Sequence, residues 1–280
     1  MAGLASFAIF YGWVFVGALV RARSQPSAAQ MAIGFGTNFL DTLGIGSFAT
    51  STAIFKFWKM VPDELIPGTL NAGHTLPVIL QAFLYITVIE VDAWTLVSMI
   101  GAAVLGGWLG AGVVARLPKR AVQFGMGFAL LTAVAVMVAS LMGLFPVGGT
   151  AVALRGWPLA VGITGNFVIA ALSTLGIGLY APIMTMVSLL GMNPTAAFPI
   201  MMGSGAFLMP VASARFIWSK AYFVPMAAGL AVGGLLGVPV AAFVVKSLPL
   251  TALRYLVIVV VLYAAVLMLR EAAMGRNEKA

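Results

Sequence analysis

The sequence predicts an all-α integral membrane protein with seven transmembrane helices plus two re-entrant, glycine-broken helical hairpins, arranged in two inverted repeats. Three observations carry this. Of the 280 residues, 62% are hydrophobic and 8% charged, too little polar surface to cover a soluble domain of that size. Apolar stretches long enough to cross roughly 30 Å of hydrocarbon recur along the chain, without the alternation of a membrane barrel. Finally, Thr42-Leu43-Gly44-Ile45-Gly46 recurs letter for letter as Thr174-Leu175-Gly176-Ile177-Gly178, each copy inside a long apolar run.

Residues 1–29 form an extra N-terminal span and its loop. The apolar stretch 3–20 is followed by Arg21 and Arg23, the reverse of a signal peptide, whose charges precede its core. The expectation is a retained helix with the N-terminus outside and the C-terminus cytoplasmic. Residues 30–145 form the first repeat: the broken segment Met31 to Trp58, then spans at about 66–89, 94–115 and 121–145. Residues 146–157 are a linker. Residues 158–272 form the second repeat: the broken segment Leu159 to Leu190, then spans at about 196–214, 222–245 and 251–269, before a tail at 273–280.

A shift of 132 positions lays 41–76 on 173–208 without a gap, and 11 of the 36 positions are identical, among them Pro62 with Pro194, Pro67 with Pro199 and Gly73 with Gly205. A shift of 131 pairs Ser98, Ala102, Gly106 and Gly110 with Gly229, Gly233, Gly237 and Ala241. Small residues at every fourth position let membrane helices approach closely, so both rows are expected to be packing seams.

Basic residues gather on the cytoplasmic side of a membrane protein. If both broken segments crossed, the fifteen Lys and Arg residues would divide 7 against 8. If each dips in and returns, they divide 12 against 3, with only Arg155, Lys246 and Arg254 opposing the rest. Arms of about 12–15 residues, roughly 20 Å of helix, reach the midplane and fall short of a crossing. One hairpin plus three spans is an odd number of crossings, so the second repeat enters from the opposite side.

The charge of +8 is scattered in ones, twos and threes between apolar segments, which marks topology and excludes a nucleic-acid partner. There is no cysteine and one histidine, so disulfides, thiolate metal sites and cysteine nucleophiles are excluded. No nucleophile and base pair or metal cluster is recognisable, so neither a catalytic site nor a cofactor is expected. The absence of an ATP-binding loop sets ATP-driven transport aside unless a partner chain supplies it.

The paired glycine break, the connector Gly191-Met192-Asn193-Pro194-Thr195-Ala196-Ala197, the GxxxG-like third helix and the junctions Leu117-Pro118 and Leu248-Pro249 resemble the TauE/SafE sulfite exporter family, also called the four-toluene-sulfonate uptake permease group. The resemblance covers about 30–270 and is clearest from Gly162 to Pro210. The break departs from the family by having Ser47 or Leu179 where further glycines often stand. The resemblance implies transport of sulfite, sulfonates or related organic anions across the bacterial inner membrane, often outward.

Asp41 is the one Asp, Glu, Lys or Arg deep inside an apolar segment, a costly position and by default a functional one. It is expected to carry a coupling proton or to cap the second arm of its hairpin, and the two roles are compatible. His74, the only histidine, is a second coupling candidate if it reaches Asp41; otherwise it is a satisfied packing residue. The second arms begin just after Gly46 and Gly178, where unpaired amides and positive helix ends can hold an anion without a buried cation. Thr42, Gly44, Gly46, Ser47, Asn71, Ser173, Thr174, Gly176, Gly178, Tyr180 and Ser204 are the expected substrate-binding residues. Trp58, Trp94, Trp157 and Trp218 fall near segment ends, as interfacial anchors do.

The function expected is secondary transport of a small sulfur-containing anion by alternating access around the two tips, proton-coupled and outward. Uptake of the same anions and a small-anion channel remain open, as does homo-oligomer formation. The expected partners are the small anionic substrate and the lipid bilayer.

Overall fold

The computed structural model describes residues 2–23, 25–43, 46–85, 91–144, 148–176, 178–193, 196–244 and 250–274. Its helices in chain order are α1 (Ala2–Ala22), α2 (Ala28–Thr42), α3 (Ser47–Trp58), α4 (Ile66–Tyr85), α5 (Ala93–Val114), α6 (Lys119–Leu141), α7 (Gly156–Ser173), α8 (Tyr180–Leu189), α9 (Ala197–Trp218), α10 (Val224–Val244) and α11 (Leu250–Met274), with a short 3-10 turn at Asp63–Leu65. Among the described residues no β-strand forms; one bridge joins Ala151 and Met192.

The ends of these helices follow from local chemistry. Ser27 caps α2 with a reciprocal pair: its hydroxyl accepts from the Gln30 amide, and its own amide donates to the Gln30 side chain. Asp92 caps α5 by accepting from the Thr95 amide at 2.9 Å. Both breaks contain a glycine in the left-handed region, Gly46 at φ +90° and Gly176 at φ +108°, where a side chain would be strained. These glycines are not repeat equivalents: 132 positions relate Gly46 to Gly178, which has no positive φ, and Gly44, the equivalent of Gly176, lies outside the described residues.

Seven helices are long and apolar enough to cross a membrane: α1, α5, α6, α7, α9, α10 and α11. Such a set has the composition of a multi-pass membrane protein. The number matches the sequence-based expectation, but the membership differs. The expected span at 66–89 corresponds to α4, which falls outside this set because Thr69, Asn71, His74, Thr75 and Gln81 lower its mean hydropathy; all five are buried. Conversely α7, expected as a hairpin arm of at most 15 residues, runs for 18 and meets the criterion.

Helix packing exchanges partners between the two halves. The seam on α10 seats α2: a Cβ on Gly233 would lie 1.9 Å from the Met31 carbonyl oxygen, and one on Gly237 would lie 2.3 Å from that of Phe35. The seam on α5 seats α7 in the same way, with Gly106 against the Phe167 carbonyl and Gly110 against that of Ala171. Phe35 and Phe167 stand 132 positions apart, so the two contacts repeat. Each junction also carries an asparagine bond across the seam, Asn38 to the Leu230 carbonyl at 3.5 Å and Asn166 to the Met99 carbonyl at 2.7 Å. Such bonds remove buried backbone acceptors from an otherwise apolar interface. In addition α4 packs on α10 as α9 packs on α5, α4 meets α9, and α6 meets α11.

Polar contacts gather at the helix ends. Lys56, near the end of α3, bonds Asp63 at 2.9 Å and Glu271, near the end of α11, at 2.6 Å. Gln123 of α6 donates to both carboxylates. Elsewhere Arg155, just before α7, bonds Asp92, just before α5, at 2.7 Å. Beyond α8, at the Ala151–Met192 bridge, the Gly149 amide donates to the Met192 carbonyl and the Asn193 amide to the Ala151 carbonyl. Trp58, Trp94, Trp157 and Trp218 are all exposed, each within two residues of a helix end, as interfacial anchors require.

Candidate functional site

The two breaks meet at one cavity of about 160 Å³. Its polar lining is Asp41, Ser47, Asn71, Ser173 and, from α6, Thr132; Gly46 and Gly178 contribute backbone. Apolar side chains complete it, Phe48 from the first break, Leu179 and Pro182 from the second, Val136 and Met137 from α6.

Among the described residues Asp41 is the only charged side chain in this lining. Its position at the end of α2 points its carboxylate back at the start of α3, so Oδ1 accepts the Ser47 amide at 2.8 Å and Oδ2 accepts from Gln81 at 3.0 Å. This is the capping geometry anticipated for Asp41, and it satisfies the first amide of α3. Gln81 also donates to the Thr42 hydroxyl, which donates in turn to the Asn38 carbonyl. At the other break Ser173 replaces the carboxylate, and its hydroxyl donates to the Ala170 carbonyl at 2.7 Å. No side chain among the described residues caps α8.

Asn71 joins the halves. Its Nδ2 donates to the Pro67 carbonyl at 2.8 Å within α4 and to the Thr174 carbonyl at 3.2 Å in the second break. A carbonyl freed by the glycine turn is thereby satisfied from the other half of the chain.

The expected residues divide accordingly. Asp41, Gly46, Ser47, Asn71, Ser173 and Gly178 line the cavity. Thr42, Thr174, Gly176 and Ser204 do not: Thr42 holds Gln81, Thr174 is buried with its hydroxyl on Ala171, Gly176 packs near Met126 and Leu70, and Ser204 accepts from Asn166. Gly44 lies outside the described residues, as does the side chain of Tyr180.

His74 bonds Asn38 and Ser51, and no bond to Asp41 forms among the described residues. Its Nδ1 is 3.0 Å from Asn38 Oδ1 and its Nε2 is 3.0 Å from Ser51 Oγ. Asn38 Nδ2 is committed to carbonyls, so its Oδ1 accepts and the proton sits on Nδ1, leaving Nε2 to accept from Ser51. One neutral imidazole therefore ties α2, α3 and α4 together.

Sequence reasoning missed Gln81, Asn38 and the α6 wall. Gln81 carried a readable signal, because Asn71, His74, Val78 and Gln81 recur at three and four residues and so share one face of α4. Thr132, Ala133, Val136 and Met137 carried none; they reach the cavity only because α6 packs there.

Against family models, curated proteins and solved structures, the chain matches none. The resemblance to the TauE/SafE family therefore rests on the residues quoted for it.

Proposed function

We propose that this protein is a secondary transporter of the bacterial inner membrane that moves a small sulfur-containing anion, sulfite or an organosulfonate, by alternating access around the two breaks. The observation that carries the reading is a cavity lined from both, by Gly46 and Ser47 on one side and Ser173 and Gly178 on the other. Broken helices meeting at a cavity are the usual substrate site of such carriers. The anion class comes from the family resemblance.

Two further observations support the architecture. The start of α2 packs through Gln30 and Met31 on Gly229 and Gly233 in the first half of α10, while the end of α3 is tied to the connector before α4 and to the end of α11. The start of α7 is tied to the start of α5, and the end of α8 bridges to residue 151. In this reading each broken segment dips in and returns, the two from opposite faces; the N-terminus outside and the C-terminus in the cytoplasm follow from the distribution of basic residues. The exchanged seams fit two inverted repeats, and α4 completes the seven crossings with its polar face turned inward while α7 serves as a hairpin arm. Asp41 is the coupling residue in this reading, and His74 holds the hairpin in place.

The test is flux of radiolabelled sulfite and of an organosulfonate in proteoliposomes, with and without an imposed pH gradient. Saturable, gradient-dependent movement is expected. Current in planar bilayers without saturation would replace the carrier by a channel, and movement of neither anion by folded protein would remove the substrate class.

A further inference from the structure

The cavity built for an anion contains a carboxylate and no cation among the described residues. Asp41 lines it at 7% exposure, with its two oxygens held by the Ser47 amide and Gln81. The neighbouring donors are also engaged, Asn71 on two carbonyls and Ser173 on another. An anion entering beside an ionised Asp41 meets a like charge in a poorly screened space and finds the first amide of α3 already taken.

No other titratable group among the described residues lines the cavity, and Arg215 of α9, the helix that adds Gly205 and Met209 to the lining, lies over the Trp108 ring. Helix α2 has Asp41 alone, and α10, packed along it, carries none between Val224 and Val244. The titratable group on α3 is Lys56, at the opposite end of that helix and bound to Asp63 and Glu271. On α4, His74 is turned to Asn38 and Ser51, and the side chain of Tyr85 lies outside those described. The charges of α6 are Lys119 and Arg120 at its start, remote from Thr132 to Met137. On α7 and α8 the cavity receives Ser173, Leu179 and Pro182, none of which titrates.

We infer that Asp41 takes up a proton whenever the cavity takes up its anion, so that proton and anion cross together, one for one. The inference rests on the transporter reading and fixes the sign of its coupling. The proton goes to a carboxylate oxygen of Asp41 on the side of entry and leaves it on the side of exit. Protonation removes the like charge and loosens the hold on the Ser47 amide, which then becomes a donor to the substrate. Exchange of anion against proton would require the carboxylate to be ionised when the anion is present, the arrangement this cavity opposes. For a singly charged anion the cycle is electroneutral: net export proceeds when the inside-to-outside anion ratio exceeds the outside-to-inside proton ratio, about tenfold for each pH unit.

The probe is methanesulfonate, whose own charge does not change between pH 5 and 8, with sulfite alongside. Full-length protein in liposomes with a trapped pH dye should move one proton with each methanesulfonate, in the same direction and without response to an imposed potential. Affinity should weaken about tenfold per pH unit above the titration of the site. Asp41→Asn, which keeps an oxygen for the Ser47 amide, should move the anion with no proton and no pH slope. Protons moving against the anion in the wild type, or protons still moving with it in Asp41→Asn, would overturn the inference and leave the carrier intact. Failure of the folded wild type to bind or move either anion would overturn the carrier reading and this inference with it. The wild-type stoichiometry decides the sign even if Asp41→Asn does not fold.

Discussion

Replacing His74 by alanine separates a holding role from a coupling role. The imidazole is fully buried, accepts from Ser51 and donates to Asn38, and lies against Phe48 with ring centroids 5.6 Å apart. Truncation leaves two buried polar atoms without their partner, at about 1–3 kcal/mol each. It also opens a hole the size of the ring, which is polar enough to admit a water that restores part of the loss. The expected net destabilisation is about 2–4 kcal/mol, read as a shift in the unfolding midpoint of detergent-solubilised protein. Because His74 does not line the cavity, the pH dependence of flux should keep its slope in the fraction that remains folded. A loss below about 0.5 kcal/mol, or a changed pH slope at unchanged stability, would refute the assignment.

Three further outcomes follow from the same geometry. Gly233→Val places carbon against the Met31 carbonyl, and the rigid backbone there should make it cost about 3 kcal/mol, whereas the same change at Gly101, where an added Cβ meets nothing within 4 Å, should be nearly silent; thermal unfolding of both reads the contrast. Lys56→Met strands Asp63 and Glu271 and should cost about 2–4 kcal/mol, less than a fully enclosed pair because Glu271 is one-third exposed; adding Asp63→Leu should recover part of it in a double-mutant cycle. The Arg155 guanidinium and the Thr95 amide hold the Asp92 carboxyl well below the usual carboxylate range. Its contribution is therefore complete above the unfolded value near about 4 and lost as pH falls below it, so the difference in Tm between wild type and Arg155→Gln should be constant from pH 8 to 5 and shrink in more acidic solution.

The seams were legible because close approach leaves a mark on both partners: Gly229, Gly233 and Gly237 stand in a row, and so do Ser98, Ala102, Gly106 and Gly110. The breaks were legible as glycines inside apolar runs. The difference between α4 and α7 lay in composition and helix length, but the direction in which the polar residues of α4 point did not, since hydropathy averages a helix over all its faces. The polar face of α4 turns to α2, α3 and the second break through His74, Gln81 and Asn71, and only tertiary packing reveals that arrangement. For the site, Asp41 stood out by depth alone. What it bonds did not, because Gln81 lies 40 residues along the chain. His74 was judged against Asp41, but the nearer competitor was Asn38, one turn earlier on the same helix.

The exchanged seams also set a timetable for biogenesis. Met31 is held by Gly233, and the ribosome makes one about 200 residues before the other, a delay of roughly 10–40 s at ordinary synthesis rates. The first broken segment is therefore made without its partner and waits through the synthesis of most of the chain, its glycine-broken backbone short of a place to dock. The second broken segment has no such delay, because α5 has already been made when α7 emerges. The two halves of the molecule, alike in sequence, are assembled under different conditions, and the half that waits is the one that carries Asp41.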